Sequence, residues 1–260
     1  MSDAAISVTD LTLAYGHKVI QRDLTFDVER GAIFVIMGGS GCGKSTLLRN
    51  MLGLEQPACG DVCYNQESFI HADQQRRREI RKQWGVTFQQ GGMISALTLA
   101  ENLALPLELY TALTKRQREE LIDFKLSLVG LAGYQSYYPS EISGGMRKRA
   151  ALARAIMLDP EFLFFDEPSA GLDPISSRRL DELIATLAAS MGSTVVMVTH
   201  ELDSIFAIAS STIYLDNVSR TLLDSGSPQY LRGHSEHPVV REFLSRGGDR
   251  ADRGQGMSND

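Results

Sequence analysis

The sequence holds little cysteine: three residues, Cys42, Cys59 and Cys63, in a chain of 260. The count is odd, only three residues separate Cys59 from Cys63, and no second pair is present to complete a zinc site. Reduced thiols in a cytosolic protein are the expectation. Long apolar runs are missing too. Residues 33–37 and 162–165 have the length of buried strands, far below the roughly 20 residues of a membrane helix. Positive charge is not in excess: 26 Lys+Arg stand against 32 Asp+Glu, a net charge of −6. No basic footprint for nucleic acid results, although local amides and one or two lysines suffice for a nucleotide. Residues 1–10 show no basic segment followed by an apolar stretch, so no secretory leader is expected. Internal repeats are absent.

What is present is ordinary globular composition, 43% hydrophobic and 22% charged, at a length that suits one or two domains. Residues 6–13 alternate apolar and polar in part, as in a half-buried strand. Residues 33–37 read as a strand buried on both faces, which points to a parallel sheet. A Gly-rich turn follows, then an amphipathic helix (Leu47, Leu48, Met51, Leu52) that Gly53 ends. Residues 98–158 read as largely helical, with Leu121, Phe124 and Leu128 on one face. Strands at 162–166, 194–199 and 213–216 alternate with helical spacing such as 180–187, the pattern of an α/β sheet. A single helix is expected over 228–244. Residues 247–260 carry four glycines and five charges but no Leu, Ile, Val or aromatic residue, so they are expected to be a disordered tail.

The run Gly38, Gly39, Ser40, Gly41, Cys42, Gly43, Lys44, Ser45, Thr46 fits the phosphate-loop pattern G-x-x-x-x-G-K-[ST]. Glycines let backbone N–H groups turn toward phosphate oxygens, and the helix opening near Lys44 aims its dipole at the same anion. Lys44 supplies charge for the β- and γ-phosphates, and the Ser45 hydroxyl can ligate Mg²⁺. The apolar strand at 162–165 ends in Asp166 and Glu167. At the C-terminal edge of a parallel sheet Asp166 can hold Mg²⁺, and Glu167 can take a proton from an attacking water. Ser143, Gly144 and Gly145 precede a helix that begins with Arg147, Lys148 and Arg149. That is either a second anion site, serving a partner's nucleotide, or an ordinary helix cap with a solvated basic face. His200 ends a strand on the same presumed edge, and Gln89 can offer an amide oxygen to Mg²⁺ or water; alone, each carries little signal.

In order, these pieces resemble the ATP-binding cassette (ABC) ATPases over about residues 6–244. Tyr15, 23 residues before Gly38, falls where that family stacks an aromatic on adenine. Residues 38–46 match its Walker A loop, Gln89 its Q-loop, and Ile142-Ser143-Gly144-Gly145-Met146 its signature motif. Residues 162–167 match Walker B with the catalytic glutamate, Ser169-Ala-Gly-Leu-Asp173 the D-loop, and His200 the switch histidine. The resemblance implies a P-loop NTPase (RecA-like) α/β core of ABC-ATPase type. With it come an N-terminal antiparallel β region and an inserted α-helical subdomain at about 92–158, all within a domain spanning 1–246. It implies an Mg-dependent ATPase with Lys44, Gln89, Glu167 and His200 in the chemistry, and Ser45, Gln89 and Asp166 toward Mg²⁺. A head-to-tail homodimer would hold ATP between one copy's Walker A loop and the other's Ser143, Gly144, Gly145 and Met146.

Three departures stand out. Ile142 and Met146 replace the usual leucine and glutamine of the signature, Gly39 replaces a common proline, and Gln90 follows Gln89. Tyr138-Pro-Ser-Glu-Ile-Ser-Gly-Gly-Met146-Arg-Lys-Arg looks like the ATPases of MCE-associated lipid transporters, including the bacterial Mla system. That likeness implies a peripheral subunit on the cytoplasmic face of the inner membrane. It would drive a permease dimer docked near residues 91–107 and act with an MCE-domain protein, although the apolar residues there serve equally as core. An importer of a small polar solute and a soluble, non-transport ABC ATPase are the competing readings. The basic run at 76–82 reads as a solvated helix face or a lipid-headgroup contact, and His71, His234 and His237 lack metal spacing.

Overall fold

The computed structural model describes residues 4–89 and 91–245. The chain forms two compact units: the described residues up to Ile70 together with those from Val198 onward, and residues His71–Met197. The expected tail at 247–260 lies outside the described residues, as does Gln90.

The first unit opens with a long hairpin. Strand β1 (Ala4–Tyr15) pairs antiparallel with β2 (Lys18–Glu29), from Tyr15 opposite Lys18 to Ala4 opposite Glu29. Strand β2 is poorly marked in sequence. Its inward residues are Gln21, Leu24, Phe26 and Val28, and Asp23 with φ 54° breaks the alternation. Strand β3 (Ile33–Gly38) runs into helix α1 (Lys44–Met51). Strand β4 (Cys59–Tyr64) pairs antiparallel with β1, and the short β5 (Glu67–Ser68) with β4, giving the order β2-β1-β4-β5.

The second unit holds α2 (Gln74–Arg81), β6 (Trp84–Thr87), α3 (Leu99–Tyr110), α4 (Lys115–Leu128), a 3₁₀ turn at Pro139–Glu141 and α5 (Gly144–Ala155). Then come β7 (Phe162–Asp166), α6 (Pro174–Met191) and β8 (Thr194–Val198). Strands β6 and β7 are parallel, and β8 flanks β7 on its other side. Every residue of β7 is buried, and Phe162, Phe164 and Phe165 each contribute about 2 kcal/mol of apolar burial. Thr98 and Thr114 form complete capping boxes with Glu101 and Gln117, which fixes where α3 and α4 begin.

The chain returns to the first unit with α7 (Leu202–Ile208), β9 (Ser211–Leu215), β10 (Leu222–Gly226), α8 (Pro228–His234) and α9 (Pro238–Ser245). There β9 lies parallel to β3 and antiparallel to β10. The single helix expected over 228–244 is therefore two helices. Ser235 separates them; its Oγ donates to Asp224 and accepts from the His237 amide.

Helix α4 corrects the expected face. Leu121, Phe124 and Leu128 do share one side, but Phe124 is 55% exposed and Leu128 37%. The buried side carries Ile122, Lys125 and Leu126. Lys125 pairs there with Asp159, Nζ to Oδ1 2.5 Å, a partner that spacing on one helix does not reveal.

Candidate nucleotide site

In the first unit, the buried strand β3 delivers the chain into the phosphate-loop segment. Gly38 has φ 149°, and a Cβ there would lie 2.4 Å from the Leu215 carbonyl oxygen and 2.7 Å from Cys42 Sγ. Gly43 has φ 96°, and its Cβ would meet Ile20 at 2.7 Å. These two positions require glycine for both backbone and space. Gly39 and Gly41 face open space, so the loop keeps an uncluttered rim. No side chain caps α1, whereas α2, α3, α4, α5 and α6 each have a side-chain cap. Its first-turn amides suit an anion. Lys44 Nζ donates to the Gly38 and Gly39 carbonyls at 2.9 Å each, which suspends its charge over the loop. Cys42 is buried; burial pushes its thiol up, against the pull of the Lys44 charge. Those features fit a polyphosphate.

Two supports of this half escaped the sequence reading. Gln21, fully buried, donates through Nε2 to the Cys42 carbonyl (2.7 Å) and to the Asp216 carbonyl (2.8 Å), tying the loop to the end of β9. Glu55 accepts the Tyr15 hydroxyl at 2.6 Å and faces Arg49 of α1 at 3.6 Å. Tyr15 itself is 51% exposed, a ring face free of the core. His200 is also exposed, with Nε2 3.8 Å from Glu201.

In the second unit, β7 carries Asp166 to the edge of the sheet, and the turn begins at Glu167, which has φ 52°. Both carboxylates are largely buried, at 7% and 9% exposure. Asp173 caps α6: its Oδ1 accepts from the amides of Ile175 and Ser176 at 3.1 and 3.0 Å, and the Ser176 hydroxyl, with these amides, holds its carboxyl below the usual range. Ser143 caps α5 in the same way, its Oγ accepting from the Met146 amide at 3.2 Å. Residues 143–146, with Leu172, Asp173 and Arg179, line an open cleft of about 630 Å³, within the span of ligand pockets. Gln89 is exposed, at a small separate cleft that Lys148 also lines. No cluster of three or more His, Cys, Asp or Glu suited to a metal occurs among the described residues. Each residue expected toward Mg²⁺ offers oxygen, the donor type that ion takes: the Ser45 hydroxyl in the first unit, and the Gln89 amide and Asp166 carboxylate in the second.

The basic start of α5 is half solvated, with Arg147 exposed and Lys148 and Arg149 half-buried, yet all three are tied to carbonyls. Arg147 donates to the Ile142 carbonyl at 3.1 Å, and Arg149 to the Val129 carbonyl at 2.9 Å. Lys148 donates to the Ala170 carbonyl at 2.6 Å and the Glu167 carbonyl at 3.4 Å. In the last turn, Arg154 donates to the Gly92 carbonyl at 2.8 Å, and burial lowers its guanidinium. Helix α5 is thus a hub that gathers four loops. On α3, Asn102 pins the loop before that helix by bonding Ile94, Leu97 and Thr98.

A Gly-rich anion loop on a β–α turn, a buried strand ending in two carboxylates and a second small-residue helix start define an α/β nucleotide-hydrolysing cassette. Residues 21–170 match the family model described as ABC transporter, and the chain belongs to that family as one of its ABC ATPases. It is 35% identical to the intermembrane phospholipid transport system ATP-binding protein MlaF of Haemophilus influenzae, over 92% of this chain and 94% of that protein. Against MlaF of Escherichia coli K12 the identity is 36%, over 92% and 88%. The probable ribonucleotide transport ATP-binding protein mkl of Mycobacterium leprae is also 36% identical, over 93% of this chain and 69% of that protein. Among solved structures, the ABC cassette MJ0796, a dimer bound to ADP and Pi, superposes with a TM-score of 0.77 at 27% identity, covering 85% of this chain and 98% of that one. The cbiO1 protein of Clostridium perfringens superposes at 0.81 with 22% identity over 96% of this chain, a likeness of fold. The expected ABC-ATPase fold, with an antiparallel N-terminal β region, is thereby met.

Proposed function

We propose that the chain is the ATP-hydrolysing subunit of a transporter that moves phospholipid or a similar hydrophobic substrate, with a permease and an MCE-domain protein as partners. The observation that carries the substrate class is the near end-to-end match to phospholipid-transport ATP-binding proteins, 88–94% of their length. The mkl relatives favour a ribonucleotide, a polar solute, at equal identity but over only about two thirds of their length. No helix among the described residues is long and apolar enough to cross a membrane; in this reading a separate permease supplies the pathway, and the likeness to the phospholipid-transport ATP-binding proteins supports a peripheral place on the inner membrane's cytoplasmic face.

In this reading the amides of residues 38–46 and Lys44 bind the phosphates of ATP, and the Tyr15 ring packs on its base. Glu167 accepts a proton from the attacking water, while His200 and Gln89 orient groups at the γ-phosphate. Ser45, Gln89 and Asp166 would hold Mg²⁺, which when bound neutralises charge between the β- and γ-phosphates. A second copy contributes Ser143, Gly144, Gly145 and Met146, so ATP bridges two chains and its hydrolysis releases them. Segment 91–107, braced by Asn102 and Arg154, receives the permease. The test is affinity purification from native membranes, with partners and lipids identified by mass spectrometry. A multi-span permease with an MCE-domain protein and phospholipid is expected. A permease with a soluble polar-solute receptor, or soluble partners alone, contradicts the reading.

A further inference from the structure

Glu167 is unusual in its backbone. It is a non-glycine residue at φ 52°, at the end of a fully buried strand, and such a conformation persists only where neighbours over-determine it. The side chain that reaches the turn is Lys148, which donates to the carbonyls of Glu167 and Ala170 from the first turns of α5. Burial lowers its ammonium from the ordinary lysine range, with the Glu167 charge acting the other way. Lys148 is half-buried; its short bond goes to the Ala170 carbonyl, and it shares the Glu167 carbonyl with the Ala170 amide, which closes the turn at 3.3 Å. The same helix begins at Ser143, five residues earlier, and Lys148 also lines the cleft that holds Gln89.

We infer that Lys148 is a positioning residue for Glu167: it anchors the 167–170 turn to α5, and so fixes the carboxylate relative to the signature residues on the same helix. This deepens the reading of Glu167 as the base and rests on it. In a head-to-tail dimer, residues 143–146 would touch the partner's ATP while Glu167 acts on the chain's own. Lys148 is then the direct mechanical link between the two sites.

The test uses the full-length chain with Lys148→Met, Lys148→Arg and Lys148→Gln, each beside Glu167→Gln. Lys148→Met is expected to lower kcat for ATP by about 10- to 100-fold, the scale of a misplaced catalytic group. ATP affinity by calorimetry should stay within about twofold, because residues 38–46 are untouched. ATP-bound dimers of this variant should outlive those of the native chain. Lys148→Arg, which keeps several donors, should restore most of kcat, and Lys148→Gln should fall between. Native kcat in Lys148→Met or in Lys148→Gln overturns the inference. So does a joint loss of kcat, ATP affinity and melting temperature that Arg does not rescue, since that marks packing alone. Native turnover in Glu167→Gln instead removes the base itself, a failure of the underlying reading.

Discussion

Helices α1 and α5 both begin at glycine-bearing motifs, and they are opened in opposite ways. Helix α1 starts at Gly43 with no capping side chain, so its first-turn amides are left open to an anion. Helix α5 starts at Ser143, whose hydroxyl oxygen already serves the Met146 amide, and three basic residues follow that all bind carbonyls. The first is a ligand cradle that needs only glycines and one lysine. The second is a braced tip, exposed at Ser143 and Gly144 and tied to loop carbonyls behind them.

That contrast breaks first at the carboxylate. Glu167→Gln should lower hydrolysis by about 10²- to 10⁴-fold while ATP remains bound, because an amide cannot accept the proton. Phosphate release beside filter binding checks it. Next is the cradle: Lys44→Ala should weaken ATP by about 10- to 100-fold, the loss of charge-assisted hydrogen bonds, read by calorimetry. The braces of the α5 side come third. Asp159→Ala strands the Lys125 ammonium in the core and should cost about 2 kcal/mol, reduced from a fully buried pair because Asp159 is exposed. Lys125→Met should be near neutral by comparison, and urea denaturation separates the two. Ser143→Ala should cost about 1 kcal/mol through the lost cap, and Ser143→Asn should recover it. That pair separates the cap from any role on ATP. The smallest effect is in the thiols. Burial and the neighbouring Asp61 carboxylate push Cys63 up to about 11, and Cys42 is buried and raised, so Cys59 should alkylate first at pH 8 by mass spectrometry.

The cradle was legible because its requirements are local. Glycine at 38 and 43, a lysine and a hydroxyl in fixed spacing describe backbone turns that sequence states directly. Strands β3 and β7 were legible for the same reason, as short apolar runs buried throughout. What stayed hidden lies in long-range pairs between a side chain and a distant carbonyl. Gln21 with Cys42 and Asp216, Lys148 with Ala170, and Arg154 with Gly92 leave no periodic trace. Strand β2 was obscured by a buried glutamine, and α4 by a buried lysine, each polar where pattern reading expects an apolar residue. The roles of Asp173 and Ser143 as helix caps are compatible with the motif reading and add a structural duty to it.

The most direct test of the account is the mass of the Glu167→Gln chain in solution, with and without ATP, by sedimentation. The expected result is a monomer that becomes a dimer holding two ATP molecules, and no dimer when Ser143 is also replaced by arginine. ATP bound to a chain that remains monomeric, or a dimer indifferent to Ser143, would contradict the shared site.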